Sequence, residues 1–127
     1  MQHAISWFEI PTENLDRATQ FCETILGLEL QPMDMPGMQM RIFPIDNMME
    51  GVTGVLIKTE DEFHKPSSTH GPLVYLNANA GMEDILRKVE SAGGQILQDR
   101  MQISPEHGYM AIILDTEGNR MAFHSVD

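Results

Sequence analysis

The segment Ala4-Ile5-Ser6-Trp7-Phe8-Glu9-Ile10-Pro11-Thr12-Glu13-Asn14-Leu15-Asp16-Arg17-Ala18-Thr19-Gln20-Phe21-Cys22-Glu23-Thr24-Ile25-Leu26-Gly27 decides the fold. Residues 4–10 are aromatic and β-branched, the composition of a short strand, and Pro11 stops the run. Asn14 then sits where a helix N-cap belongs, and Asp16 falls in the first turn, where the helix dipole favours an acid. Leu15, Ala18, Cys22, Ile25 and Leu26 recur at helical spacing, and Gly27 closes the helix. Three short strands are expected to follow, near 28–33, 39–45 and 52–58, separated by the turn formers Met35-Pro36-Gly37 and Asp46-Asn47.

The same order returns further along. Leu73-Val74-Tyr75-Leu76-Asn77-Ala78 reads as a strand. A helix follows with Met82, Ile85, Leu86 and Val89 on one face, Glu83 and Asp84 in its first turn, and Gly93-Gly94 at its end. Strands near 95–101, 109–115 and 120–125 complete the half, the last two joined by the turn Thr116-Glu117-Gly118-Asn119. Leu15 to Met82 and Gly27 to Gly94 share one offset of roughly 67 residues, the mark of an internal repeat. The expectation is an α+β chain of one domain built from two tandem βαβββ modules: module one about 1–58, a linker 59–71, and module two about 72–127. The linker holds charge, Pro66, two serines, His64 and His70, and is expected to be exposed and mobile. Each module has one helix to cover one face of its sheet. The other face stays bare unless the sheets curl towards each other or towards a second chain, which makes a cleft where a ligand binds.

Composition narrows the possible partners. At 127 residues, with 42% hydrophobic and 21% charged residues, the chain is long enough to bury a core and too apolar for global disorder. Lys plus Arg is 8 against Asp plus Glu 19, a formal net charge of −11. That balance opposes a nucleic-acid role, which needs a basic patch, and attracts cationic ligands at long range. Cys22 is the sole cysteine and lies on an apolar stripe, so it reads as core, and no intrachain disulfide can form. No signal-peptide pattern opens the sequence and no stretch reaches the roughly 18 apolar residues of a membrane span, so the expected address is the cytoplasm.

Several motifs together resemble a known family. The run Trp7-Phe8-Glu9-Ile10-Pro11, then Asn14-Leu15-Asp16-Arg17-Ala18, Phe21 and Gly27, is similar to the opening of the vicinal oxygen chelate superfamily, which includes glyoxalase I, bleomycin-resistance proteins and extradiol dioxygenases. Ser91-Ala92-Gly93-Gly94 matches its second helix terminus. His107-Gly108-Tyr109 with Asp115-Thr116-Glu117-Gly118-Asn119-Arg120 resembles its characteristic end. The resemblance covers about residues 5–125. It implies the glyoxalase/bleomycin-resistance fold, with curled mixed sheets around a cleft, and a homodimer. It does not single out an activity, since the fold hosts binding and several chemistries.

The resemblance also implies four metal-ligand positions, one in the first and one in the fourth strand of each module, filled by His, Gln or Glu. Here the first is Trp7. The second falls in Gly54-Val55-Leu56-Ile57, which has no donor. The third is Leu73, or Pro72 if the extra residue near Ala80-Gly81 is placed differently, and the fourth is Ala122. A divalent metal needs several N or O donors in fixed geometry, so no metal and no other cofactor is expected.

Alternate residues of a strand share a face. If Trp7 and Ala122 look into the cleft, Glu9 and His124 do too, and the two are candidates for an acid/base or ligand-orienting pair. His107, followed by a glycine that permits close backbone approach, is a third candidate, or else a turn residue that caps a neighbouring strand. Tyr75 should share the cleft face and make an aromatic wall with Trp7, or else pack in the core. The expected substrate contacts are Trp7, Glu9, Tyr75, His107, Tyr109 and His124. His64 and His70 read as surface residues. Met33, Met35, Met38, Met40, Met48 and Met49 crowd the first module, either filling core gaps or lining an adaptable pocket or dimer surface.

The expected function is metal-independent small-molecule binding, of a sequestration or resistance type, with no nucleic-acid or membrane partner. The alternatives are a glyoxalase- or dioxygenase-type enzyme, lyase, isomerase or oxygenase, holding one divalent metal through a non-standard ligand set; a metal-free lyase or isomerase working through Glu9 and His124; and a protein-interaction module using the Met-rich face.

Overall fold

The computed structural model describes residues 2–61 and 63–127; Met1 and Glu62 lie outside the described residues. Its elements run β1 (Trp7–Pro11), α1 (Leu15–Leu26), β2 (Gln31–Pro32), β3 (Met38–Ile42), β4 (Thr53–Thr59), β5 (Tyr75–Asn77), α2 (Met82–Val89), β6 (Gln95–Ser104), β7 (Gly108–Leu114) and β8 (Arg120–Ser125). This is the order β-α-β-β-β twice over, and the described residues form two mixed four-stranded sheets ordered β1-β4-β3-β2 and β5-β8-β7-β6. In each sheet the first strand runs parallel to the fourth and the remaining pairs are antiparallel. The tandem-module fold expected from the sequence is therefore the fold observed.

Local chemistry sets the helix ends. Asn14 has extended backbone and its Oδ1 accepts from the Arg17 N–H at 3.0 Å, while Gly27 adopts φ 66° and bonds back to the Glu23 carbonyl. Leu15, Ala18, Phe21, Cys22 and Ile25 are the buried face of α1, and Met82, Ile85, Leu86 and Val89 that of α2. Both faces join one core with Ile10, Leu56, Leu76, Ala111, Ile113, Met121 and Phe123. Cys22 lies inside it, as expected, and burial pushes its thiol well above the usual range.

Element lengths depart from expectation in four places. β2 is cut to two residues, and Pro32 has no N–H to extend an edge ladder. β5 is shorter than 73–78, although the Val74 carbonyl still accepts from Ala122 N–H at 3.0 Å. α2 ends at Val89, and residues 90–93 form a turn closed by Gly94 N–H to the Val89 carbonyl at 3.0 Å. β6 runs on to Ser104 through three register shifts against β7.

The linker is held to the modules instead of hanging free. Arg120 Nη2 donates to the Gly71 carbonyl at 2.6 Å, and His64 reaches back to β1. The methionines divide as well: Met40 is buried, Met38 is half-buried, and Met33, Met35, Met48 and Met49 are exposed.

The two modules meet at the turn between β7 and β8. The Glu117 carboxylate, fully buried, accepts from the backbone N–H of Glu13 at 2.9 Å and of Asn14 at 2.7 Å, and takes Arg17 Nε at 2.7 Å and Nη2 at 3.1 Å. It thereby satisfies donors at the start of α1 from a hundred residues away in the chain. Asn119 adds Nδ2 to the Pro11 carbonyl at 2.8 Å and to Asp115 Oδ2 at 3.0 Å. Burial pushes the Asp115 carboxyl up from its ordinary value, against bonds from Asn119 and Glu117 that favour the charged form. Burial also works against the Glu117 charge, but Arg17, the Asn14 amide and Thr116 outweigh it, and its pKa falls below the ordinary value.

Candidate functional site

Strand alternation gives each sheet a helix-side face and an open face. On β1, Phe8 and Ile10 pack into the core, leaving Trp7, Glu9 and Pro11 on the open side. Opposite them Val55 and Ile57 of β4 join Met40 of β3 in a separate small apolar cluster. In the second sheet Leu76, Phe123 and Ala111 face the core, which leaves Tyr75, Asn77, Ala122, His124 and Met110 on the open side. The registers Ile10 to Leu56 and Leu76 to Phe123 align the modules strand by strand. Glu9 thus corresponds to Tyr75, Trp7 to Leu73, and Val55 to Ala122.

A cavity of about 1260 Å³ lies where the β1 and β5 edges of the two sheets approach each other. Trp7, Glu9, Tyr75 and Asn77 line it from the strands, with Phe63 and Lys65 from the linker. Trp7 is 37% exposed and Tyr75 49%, unusually open for aromatic side chains flanking a core. Both are available to a ligand.

Of the residues expected to contact substrate, the structure brings Trp7, Glu9 and Tyr75 together at this cavity. His124 is elsewhere, in a smaller pocket of about 310 Å³ with Tyr75, Asn77 and Asn79. Its Nε2 stands 2.7 Å from the His107 carbonyl oxygen, which can only accept, so Nε2 is the donor of this contact. His107 therefore orients His124 through its backbone; its own N–H donates to Ser104 Oγ at 3.0 Å in the turn before β7. Tyr109 packs against the core with the Arg100 guanidinium 3.8 Å over its ring, away from the cavity. Glu9 and His124 do not form the expected pair, because β1 and β8 belong to different sheets.

The partner of Glu9 is instead His64, read from the sequence as a surface residue. His64 Nε2 lies 2.9 Å from Glu9 Oε1, and its Nδ1 lies 3.0 Å from both oxygens of Asp61. Asp61 Oδ1 also accepts from the backbone N–H of Phe63 at 2.9 Å and of His64 at 3.0 Å. Asp61, followed by Glu9, holds the imidazole pKa above its ordinary value, and the imidazole brings the Asp61 carboxyl down to about 2. The spacing Asp-x-x-His was the one local sign of this cluster. The contact with Glu9, 55 residues away, leaves no trace in sequence periodicity.

The residues present do not fit the metal of the fold family. The positions that the resemblance marks for metal ligands, matched between the modules by strand register, carry Trp7, Val55, Leu73 and Ala122, none with a donor side chain for a metal. Among the described residues, no group of three or more His, Cys, Asp or Glu side chains is arranged to hold a metal ion. Among the described residues, no helix is long and apolar enough to cross a membrane.

Comparison with known proteins agrees with the architecture. Residues 5–40 match the family model described as bleomycin resistance protein-like N-terminal. No curated protein matches the chain. Among solved structures, a glyoxalase I mutant from Zea mays superposes with a TM-score of 0.67 at 15% identity, covering 95% of this chain and 45% of that one. The present chain thus spans less than half the length of the maize enzyme. The hypothetical protein SA1046 from S. aureus gives 0.67 at 19% identity, covering 98% of this chain and 95% of that one. The trypanothione-dependent glyoxalase I of Leishmania major gives 0.68 at 12% identity, covering 98% and 88%. Identities this low speak to the fold. The opening segment thus matches a bleomycin resistance protein-like model, and the whole chain shares the fold of solved glyoxalase and bleomycin-resistance structures.

Proposed function

We propose that the protein binds a small, flat, largely apolar molecule in the cavity at the module junction, without a metal, in the manner of a sequestering or resistance protein. The observation that carries this reading is the cavity itself. Its volume of about 1260 Å³ exceeds that of ordinary ligand sites, and its strand side presents two exposed aromatic rings, Trp7 and Tyr75, beside the carboxylate Glu9. Rings of this kind stack on a planar ligand, while one charged group orients it. The open faces of both sheets favour a homodimer in which a second copy covers them; light scattering at micromolar concentration that returns a monomer mass removes that part. A reducing, cytoplasmic setting suits a chain whose one thiol, Cys22, is buried and unpaired.

Trp7 is the only tryptophan, so its fluorescence reports on this cavity alone. A library of planar aromatic compounds should contain members that quench it and raise the melting temperature. Their affinity should be the same with and without a chelator, and Tyr75→Ala should weaken it about tenfold through loss of about 1.4 kcal/mol of stacking. Binding that disappears with chelator overturns metal independence. A Trp7 signal that no planar compound moves overturns the cavity reading.

A further inference from the structure

Glu9 is a carboxylate in apolar company. Val55, directly across the ladder on β4, is fully buried, and Trp7 shares the same face of β1. Among the described residues, the one side chain that bonds the Glu9 carboxylate is His64, supplied by the linker that walls the cavity through Phe63 and Lys65. His64 has a carboxylate at each ring nitrogen, and a carboxylate can only accept. Both nitrogens can donate at once only in the imidazolium, the form that the two carboxylates favour. The chain has filled the place beside Glu9 with a flat, aromatic cation of its own.

We propose that Glu9 is the receptor for a flat organic cation, and that His64 is an internal stand-in which such a ligand displaces. This rests on the cavity reading above and names the ligand class of that site. Aromatic faces attract cations through their quadrupoles, and Trp7 and Tyr75 border the same space as Glu9. The net charge of −11 adds long-range attraction. The Glu9 side chain is 35% exposed, so its carboxylate is open to an incoming ligand, and His64 occupies it until one arrives. The exchange is one cation for another and breaks no covalent bond.

The charges on all sides of His64 define its pH response. It is faced by Glu9 from β1 and Asp61 from its own segment. The other titratable or charged groups lining the cavity are His3, Lys65, His70, Tyr75, Asp84, Lys88 and Arg120, none of which bonds to His64 among the described residues. Asp84 and Lys88 belong to α2, on the helix side of the sheets, and Arg120 is tied to the Gly71 carbonyl. When pH rises through the His64 pKa the stand-in loses its charge, and affinity for a permanently charged ligand should increase.

The test compares N-methylquinolinium with 1-methylnaphthalene, two probes of one shape that differ in charge, by calorimetry on the full chain. In the parent protein the cation should bind more tightly as pH rises from 6 to 9, with no such trend for the neutral probe. His64→Gln should raise cation affinity at pH 6 by about tenfold and flatten its pH dependence, leaving the neutral probe within about twofold. Glu9→Gln should erase the preference for the cation over its neutral twin. An equal gain for both probes in His64→Gln means that His64 acts by bulk, and overturns the inference while the cavity reading stands. So does a preference that survives Glu9→Gln. Failure of both probes to bind any form overturns the two readings together.

Discussion

The starts of the two helices occupy equivalent places in the repeat and are finished in opposite ways. At α1, Asn14 caps the helix and Glu117 of the other module brings a buried carboxylate to two backbone donors and Arg17. At α2, the N-cap is Gly81, with φ 153° and no side-chain hydrogen bond, and the first turn relies on the exposed acids Glu83 and Asp84. The cause is the turn that each module offers its neighbour. The β7–β8 connection, residues 115–119, is tight and drives Glu117 and Asn119 into module one. The matching β3–β4 connection, residues 43–52, is about twice as long, and Phe43, Pro44 and Ile45 line the cavity instead of capping α2. The repeat is thus symmetric in topology and asymmetric in use: one turn clamps the modules together, and its counterpart shapes the ligand space.

Breaking the clamp should have the largest effect. Glu117→Gln leaves Arg17 and two backbone donors without their charged acceptor, and should cost about 2–3 kcal/mol in urea unfolding. The sign of its pH dependence follows from the lowered pKa of Glu117. The carboxylate's charge contributes fully above the unfolded-state value of about 4.5, and that contribution fades as pH falls through the folded value. The stability gap between parent and variant should therefore close in acid. Asn14→Ala, which removes the local half of the same helix start, should cost about 1 kcal/mol in the same measurement. At α2, Asp84→Asn removes an exposed pairing with Arg87 and should produce no resolvable change in melting temperature. A larger loss at Asp84 than at Asn14 would reverse the asymmetry drawn here.

The parts legible in the sequence were those written in local chemistry. Asn14 and Gly27 announced the ends of α1, Thr116-Glu117-Gly118-Asn119 announced the last hairpin, and the shared offset announced the repeat. Trp7, Glu9 and Tyr75 reached the cavity because strand alternation fixes a face once one residue on it is known. What could not be read depends on pairs far apart in the chain. Glu117 looked like a turn residue, and nothing nearby shows that its carboxylate ends at Glu13 and Asn14. His64 looked like surface, because its meaning lies with Glu9 on another strand. The Glu9–His124 pairing misled for the same reason: alternation gives the face of a side chain, but not which strand stands beside it.

Cys22 offers a clock for the whole assembly. Its thiol is 1% exposed, in the core that α1 shares with α2. Burial also holds it in the unreactive protonated form. An alkylating reagent can reach it only in molecules whose helices have parted, so the rate of single-site labelling counts opening events one molecule at a time. In Glu117→Gln that rate should rise in step with the lost stability, and a bound ligand spanning the junction should slow it. The one thiol of the chain, which takes no part in the cavity, thus reports how often the two halves of the repeat let go of each other.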